Sequence, residues 1–81
     1  MLVEVFVTPK RGVLDPQGRA IEQSLKSLGF RQARGVRVGK YILLEIEAGS
    51  AAEARRTAQA MCERLLANTV IEDYRLRVEG E

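Results

Sequence analysis

The chain begins with a strict alternation of residues between two faces. Over residues 2–8, Val3, Val5 and Val7 share one face, and larger or polar side chains occupy the other. A period of two is typical of a strand with one buried face. We therefore predict a strand over 2–8 whose valine face lies in the core, ended by the segment TPKRG.

The period then changes to that of a helix. Three apolar residues recur at helical spacing: Ile21, Leu25 and Leu28. Asp15 is a suitable N-cap, and Pro16 then stands at the first helical position, where its missing N–H costs nothing. Gly29 can take the left-handed conformation that ends a helix, with Phe30 folding back in a Schellman motif. These signals predict a helix over 16–28.

Two further alternating stretches, 33–38 and 41–47, flank Gly39-Lys40. A two-residue loop with glycine first suits a type II′ hairpin, so we predict two paired strands with Lys40 at the tip. Each strand has one apolar face: Val36 and Val38 on the first, and Ile42, Leu44 and Ile46 on the second.

The last third of the chain predicts a helix and a strand. Ser50 and Glu53 have the spacing of a capping box at a helix start. The apolar residues that follow form a predicted buried stripe: Ala54, Ala58, Met61, Cys62 and Leu65. Asn68 is expected to end this helix in a left-handed conformation. A strand near 71–79 would have one apolar face, formed by Tyr74, Leu76 and Val78.

The predicted order, β-α-β-β-α-β, is that of a ferredoxin-like α+β domain spanning residues 1–81. We expect a four-stranded, mainly antiparallel sheet with two helices on one face. The opposite, open face would carry three apolar residues among charges of both signs: Phe6, Tyr41 and Leu43. Such a face suggests self-association. The alternative is scattered surface apolar residues, which are common in monomers.

The amino-acid composition and net charge exclude several classes of function. The 81 residues include 46% hydrophobic and 30% charged side chains, which are globular proportions. A net charge of +2 is too balanced for a chain whose main partner is nucleic acid. There is no histidine and one cysteine, which excludes an internal disulfide and a multi-cysteine metal cage. Without an apolar run of about 20 residues or a basic leader, we expect a cytoplasmic protein without a membrane partner.

Few residues are candidates for catalysis or for a special backbone contact. Cys62 lies mid-helix on the apolar stripe with no histidine to activate it, so a buried structural thiol is expected. Glu72 and Asp73 are neighbours in a predicted strand and point to opposite faces, so they cannot flank one bond. Gly18, in the first turn of a helix, is unfavourable there by about 1 kcal/mol relative to alanine. Its presence suggests a close backbone approach, to another chain or to another part of this one. The equally weighted alternative is a marginal helix start in which the glycine has no role.

Four segments together give a resemblance to a known family. GVLDPQG at 12–18, LGF at 28–30, VRVGK at 36–40 and LLANTVIEDY at 65–74 resemble the PurS family over nearly the whole chain. PurS is the small subunit of phosphoribosylformylglycinamidine synthase, an enzyme of purine synthesis. Thr69 departs from the family pattern, which has a proline there, and this bears on local rigidity only.

The resemblance implies a subunit without catalytic residues, metal or cofactor of its own. The PurL chain would bind ATP, with Mg, and the formylglycinamide ribonucleotide, while the PurQ chain would release ammonia from glutamine. This chain would dimerise or form tetramers, bridge PurQ and PurL, and serve ammonia transfer. The resemblance also suggests contact residues for these partners: Asp15, Pro16, Gln17 and Gly18 in a first loop, Asn68, Glu72, Asp73 and Tyr74 in a second, and Lys40.

Two other function classes are compatible with a ferredoxin-like domain. A regulatory module could bind a small molecule between dimer halves, with GVLDPQG supplying backbone donors. An RNA-binding sheet would need more aromatic residues and a basic field. The sequence leaves open whether the chain is a dimer or a tetramer, and whether its last strand pairs within its own chain.

Overall fold

The computed structural model describes residues 1–81 and contains three strands, two α-helices and one π-helical turn. In chain order these elements are β1 (Leu2–Pro9), α1 (Pro16–Ser27), β2 (Lys40–Glu45), α2 (Ala51–Met61), a π-helical turn (Cys62–Leu66) and β3 (Glu72–Val78). The sheet has the order β2-β1-β3, and both pairings are antiparallel. The last strand therefore pairs with β1 of its own chain. No helix has the length and apolar character needed to cross a bilayer.

The core lies between the sheet and α2. The valine face of β1 is fully buried, as the alternation predicts. α2 and the first residue of the π-helical turn bring small side chains against it, which allows close approach of the helix to the sheet: Ala54, Ala58 and Cys62, each 0% exposed. The register of the sheet places two further apolar residues beside this valine face. Val5 lies opposite Ile42 on β2 and Leu76 on β3.

The predicted ends of α1 are confirmed. Asp15 is the N-cap, with its carboxylate accepting a hydrogen bond from the Gly18 amide, and Pro16 is the first helical residue. At the other end Gly29 has φ of 101°, and the Phe30 amide donates to the Leu25 carbonyl at 2.9 Å. This is the Schellman pattern.

The start of α2 also follows its sequence signal. The hydroxyl of the N-cap Ser50 accepts from the Glu53 amide at 3.1 Å. The Glu53 carboxylate reaches back to the Gly49 amide, one residue earlier than in a standard capping box.

The predicted strand over 33–38 is wrong, and so is the hairpin at Gly39-Lys40. The sheet has three strands, not four, because the amides of Val36 and Val38 donate to carboxylates of α1 instead of to a neighbouring strand. Gly39 does not have the positive φ that a type II′ turn needs at its first central position. Lys40 therefore begins β2 instead of forming a hairpin tip.

Two helices on one face of the sheet were expected, but only α2 packs there. α1 makes no extensive contact with any strand or with α2, and none of its residues joins the core or packs against it. The molecule is accordingly elongated, with extents of 50 × 25 × 14 Å and a radius of gyration of 15.9 Å. A compact chain of this length would have a radius of gyration of about 12 Å.

The buried stripe of α2 ends earlier than predicted. Met61, the last residue of α2, is 38% exposed. Leu65 is 83% exposed because it lies in the π-helical turn, which widens the helix and shifts the direction of its side chains. Ala67 is buried instead. Asn68 does not adopt the predicted left-handed conformation, since every residue with positive φ is a glycine.

The backbone crossing at Gly39 gives a stability prediction. A Cβ at Gly39 would lie 2.1 Å from the Val7 carbonyl oxygen, and backbone atoms cannot easily move aside. We expect Gly39→Ala to lower the free energy of unfolding by about 2 kcal/mol in urea titrations. Gly49→Ala is the matched control, because its Cβ would approach only the end of the Glu53 side chain, at 3.4 Å. Equal stabilities of the two variants would contradict the prediction.

Candidate functional site

The predicted partner-contact residues lie at one end of the sheet. Pro9, the last residue of β1, lies opposite Glu72, the first of β3, and Lys40 at the start of β2 lies opposite Val7. The Lys10 amide donates to the Ile71 carbonyl at 2.8 Å, which fixes the loop after β1 beside the turn before β3. The structure therefore brings both predicted loops and Lys40 to this end, which we call the loop end.

Asp15 and Glu22 connect α1 to the segment 36–38. One carboxylate oxygen of Asp15 accepts from the Gly18 amide at 3.0 Å, and the other accepts from the Val38 amide at 2.8 Å. These two backbone hydrogen bonds hold the pKa of Asp15 below its usual value. Glu22 accepts from the Val36 amide at 3.2 Å, and this bond, followed by that from Lys26, lowers the pKa of Glu22. Both carboxylates thus act as ionised acceptors for backbone groups.

Gly18 makes the close approach that its position predicted. A Cβ there would lie 2.3 Å from the Val36 carbonyl oxygen, so the approach is to another part of the same chain. Within the DPQG segment, Asp15 and Gly18 are thus engaged internally. Pro16 and Gln17 are exposed and available to a partner.

An open cleft of about 560 Å³ lies beside this segment. Its lining includes three exposed guanidinium groups: Arg11, Arg19 and Arg37. None of them forms an ion pair, and the two carboxylates in the lining, Asp15 and Glu22, already accept hydrogen bonds from backbone amides. The cleft is therefore suited to an anionic group, such as an acidic side chain of a partner.

The second predicted loop is closed by a reciprocal pair. The Asn68 amide donates to the Glu72 carboxylate at 2.7 Å, and the Glu72 amide donates to the Asn68 carbonyl at 2.8 Å. The Asn68 side chain also accepts from the Val70 amide at 3.2 Å. These bonds shape the turn around Thr69, at the position where the resembled family has proline.

The side chains of Asp73 and Tyr74 have charged partners. Asp73 pairs with Lys10 at 3.0 Å, and the Tyr74 hydroxyl donates to the Glu63 carboxylate at 2.7 Å. The bond to Glu63 raises the pKa of Tyr74 to about 12. With this raised pKa, Tyr74 is not disposed for proton transfer at neutral pH.

Cys62 is buried, as expected, and burial raises the pKa of its thiol, with the nearby Glu63 acting in the same direction. A nucleophilic cysteine requires the opposite shift. Lys40 donates from Nζ to the Leu66 carbonyl at 3.2 Å, so it caps the end of the π-helical turn. Both residues thus have structural contacts.

Three internal partners at this end were not predicted from the sequence: Lys10 for Asp73, Glu22 for the Val36 amide and Glu63 for Tyr74. The spacing of Glu22 and Lys26 does indicate their ion pair, at 3.2 Å. The bond from Glu22 to Val36 spans 14 residues and has no local sequence signal.

The open face of the sheet carries Phe6, Tyr41 and Leu43 as predicted. The rings of Phe6 and Tyr41 lie 5.2 Å apart, and the guanidinium groups of Arg75 and Arg77 lie 4.9 and 5.6 Å from the Phe6 ring centre. Leu43 beside them is 56% exposed.

Glu4 accepts hydrogen bonds from two other side chains of this face. It accepts from Arg77 at 2.9 Å and from the Tyr41 hydroxyl at 2.7 Å, and these bonds, that from Arg77 first, lower the pKa of Glu4. Pairing of these charges reduces the desolvation cost of burying the face against another surface.

Comparison with known proteins gives one consistent result. Residues 2–80 match the family model described as PurS, phosphoribosylformylglycinamidine (FGAM) synthase. The chain is 49% identical over 77 residues to the Bacillus subtilis phosphoribosylformylglycinamidine synthase subunit PurS, covering 95% of this chain and 90% of that one. It resembles the crystal structure of B. subtilis PurS with a TM-score of 0.85, covering 96% of each chain. A chain of the PurLQS structure from Thermotoga maritima is 34% identical, with a TM-score of 0.83 and coverage of 96% and 98%.

The carboxylate contacts of α1 give a pH prediction. Because backbone hydrogen bonds lower the pKa values of Asp15 and Glu22, these groups stabilise the position of segment 36–38 while they are ionised. That contribution is complete above the usual carboxyl range near pH 4 and is lost as the pH falls through the lowered values. We expect the Val36 and Val38 amides to lose hydrogen-exchange protection as the pH falls below about 4.

The control for this experiment is the Glu53 amide. It donates to the Ser50 hydroxyl, which does not titrate in this range. After correction for intrinsic exchange rates, its protection should persist when that of Val36 and Val38 is lost. Protection of all three amides that is independent of pH would contradict the assigned role of the carboxylates.

Proposed function

This chain belongs to the PurS family of phosphoribosylformylglycinamidine synthase subunits, and on that premise we propose that it is a non-catalytic adaptor. In this role it bridges the glutaminase subunit PurQ and the synthetase subunit PurL. It thereby serves the conversion of formylglycinamide ribonucleotide, with ATP and glutamine, to the amidine product. ATP and Mg act through PurL, and the complex works in the cytoplasm.

The observation that carries the adaptor role is the engagement of the reactive side chains at the loop end. Asp15, Glu72, Asp73 and Tyr74 each have an internal hydrogen-bond or ion-pair partner. Cys62 is buried with a raised thiol pKa. An acid/base or nucleophilic centre needs such groups to be available to substrate. Because these side chains are instead bonded or buried within the chain, they favour a role of this end in partner contact and alignment.

We assign the contact with the other subunits to the loop end. Pro16 and Gln17 are exposed there, and the arginine-lined cleft beside them is suited to an acidic group of a partner. The similarity to a chain of the T. maritima PurLQS structure supports PurL and PurQ as the partners.

An adaptor at this place can contribute to ammonia delivery without chemistry of its own. Ammonia released into bulk water is protonated at neutral pH and loses its nucleophilicity. Holding the site that releases ammonia in register with the site that consumes it raises the probability of capture. Such alignment requires a rigid adaptor, and the internal hydrogen bonds and ion pair of the loop end supply this rigidity.

We also assign self-association to the open face of Phe6, Tyr41 and Leu43. An aromatic pair flanked by Leu43, with Glu4 already paired to Arg77, forms a surface that can be buried against a second copy. A two-fold axis through such a face would make the contact self-complementary.

The adaptor role is tested by reconstitution with PurL and PurQ from the same source. We expect omission of this chain to reduce product formation at least 10-fold with glutamine as nitrogen donor, and to have a much smaller effect with free ammonia. The chain alone should show neither glutaminase nor ATPase activity. Cys62→Ala serves as the control variant and should support activity like the natural chain, at a stability cost of about 1 kcal/mol.

Two results would contradict this role. If omission changed neither reaction, a regulatory module that binds a small anionic molecule in the arginine-lined cleft would become the better account. Loss of activity in a folded Cys62→Ala variant would show that the thiol takes part in the reaction.

A further inference from the structure

The arginine-lined cleft collects positive charge from three separate parts of the chain. Arg11 comes from the loop after β1, Arg19 from the start of α1 and Arg37 from the segment before β2. Arg11 and Arg19 are exposed and have no ion-pair partner. Arg37 donates from one nitrogen to the Pro9 carbonyl at 2.8 Å, and its other N–H donors stay available. The fold thus brings three guanidinium groups to one cleft.

The two carboxylates in the same lining do not use these groups. Asp15 accepts hydrogen bonds from two backbone amides, at 3.0 and 2.8 Å. Glu22 accepts from one backbone amide and from Lys26 Nζ, both at 3.2 Å. The lining has three positive charges against two negative ones, and Lys26 offsets one of the latter. The cleft therefore keeps a positive potential that favours an anion.

The shape of the cleft favours a protein partner over a free small molecule. Sites for small molecules are concave and bury about 70% or more of the ligand surface. Here the cleft is open, and Leu14 in its lining is 67% exposed. A smaller groove of about 270 Å³ adjoins the cleft, shares Leu14 and Arg19 with it and extends to Pro16. Arginines beside exposed apolar groups are typical of protein interfaces, in which the partner supplies the remaining contact area.

We propose that the arginine-lined cleft binds an Asp or Glu side chain of PurL or PurQ, and that an apolar neighbour of this residue lies in the groove between Leu14 and Pro16. The inference rests on the proposed function and specifies the chemistry of the partner contact. A guanidinium group pairs with a carboxylate through two parallel hydrogen bonds, which gives direction as well as strength. Such a contact fixes the orientation of the adaptor on its partner.

The first test measures the affinity of this chain for PurL, for PurQ and for their mixture. Arg19→Glu should weaken binding of the partner that occupies the cleft about 10-fold, because the variant places like charges together. Arg56→Glu makes the same charge change at an exposed position of α2 outside the cleft, and should leave the affinity unchanged. Arg19 has no ion-pair partner, and a glutamate is favourable near a helix start, so the variant should fold normally.

Salt gives an independent readout of the same contact. Binding of the natural chain should weaken as NaCl is raised, and this dependence should be smaller in the neutral variant Arg19→Gln, because one charge pair is missing. Arg56→Gln is the matched control and should keep the salt dependence of the natural chain. Equal salt dependence of the natural chain and Arg19→Gln would contradict the assignment of Arg19 to the contact.

The outcomes separate this inference from the proposed function. If the natural chain binds and Arg19→Glu binds equally well, the assignment of the cleft is wrong and the adaptor role is unaffected. If the natural chain binds neither subunit nor their mixture, the proposed function itself is contradicted. Thermal stabilisation by inorganic phosphate or ATP that Arg19→Glu abolishes, together with unchanged partner affinity, would show a small-molecule site and overturn the inference.

The second test identifies the carboxylate. Arg19→Lys keeps the positive charge, and a carbodiimide joins its amine to a contacting carboxylate as an amide. In the assembled complex we expect a cross-linked peptide between position 19 and an Asp or Glu of PurL or PurQ. Arg56→Lys is the matched control and should give no such peptide. Cross-links from position 19 only to its own chain or to a second copy would overturn the proposal.

Discussion

Two hydrogen bonds from backbone amides to the carboxylates of α1 determine the shape of this chain. Val36 and Val38 donate to Glu22 and Asp15, so the segment between α1 and β2 follows the helix and does not join the sheet. The sheet therefore stops at three strands, and α1 lies beyond its end. Because ionised carboxylates are strong acceptors, these bonds can replace the strand pairing that the same amides would otherwise make.

In this arrangement the elements of the chain contribute unequally to the buried core. The core consists of the β1 valines, the small residues of α2 and their neighbours, and 11 of 81 residues are buried. α1 adds only Gly18 to that number. A helix of 12 residues that contributes so little burial is marginal in water by itself, so association would add order to it. For a subunit whose proposed task is alignment of two other proteins, assembly and rigidity are thus linked.

Local signals of the sequence predicted local structure well. Asp15 and Pro16 begin α1, Gly29 ends it, and the spacing of Ala54, Ala58 and Cys62 identifies the buried side of α2. The residues of the two predicted contact loops also lie together at one end of the sheet, and their role in partner contact stays a prediction.

What the sequence did not reveal depends on distant partners. The alternation over 33–38 is that of a strand, but the amides of this segment are satisfied by carboxylates 14 and 23 residues away. The π-helical turn that exposes Leu65 likewise has no periodic signal, and the bond from Lys40 to the Leu66 carbonyl spans 26 residues. Gly18 did signal a close approach, but only the structure identifies Val36 as its neighbour.

Hydrogen exchange measured at several protein concentrations tests this account most directly. Amides in the middle of α1, such as those of Ile21 and Leu25, should lose protection when dilution leaves the chain monomeric, because a 12-residue helix with an exposed apolar stripe is marginal in water by itself. Amides of the buried strand, such as that of Val5, should keep their protection at every concentration. Protection of α1 that is unchanged by dilution to monomers would contradict the claim that its order depends on association.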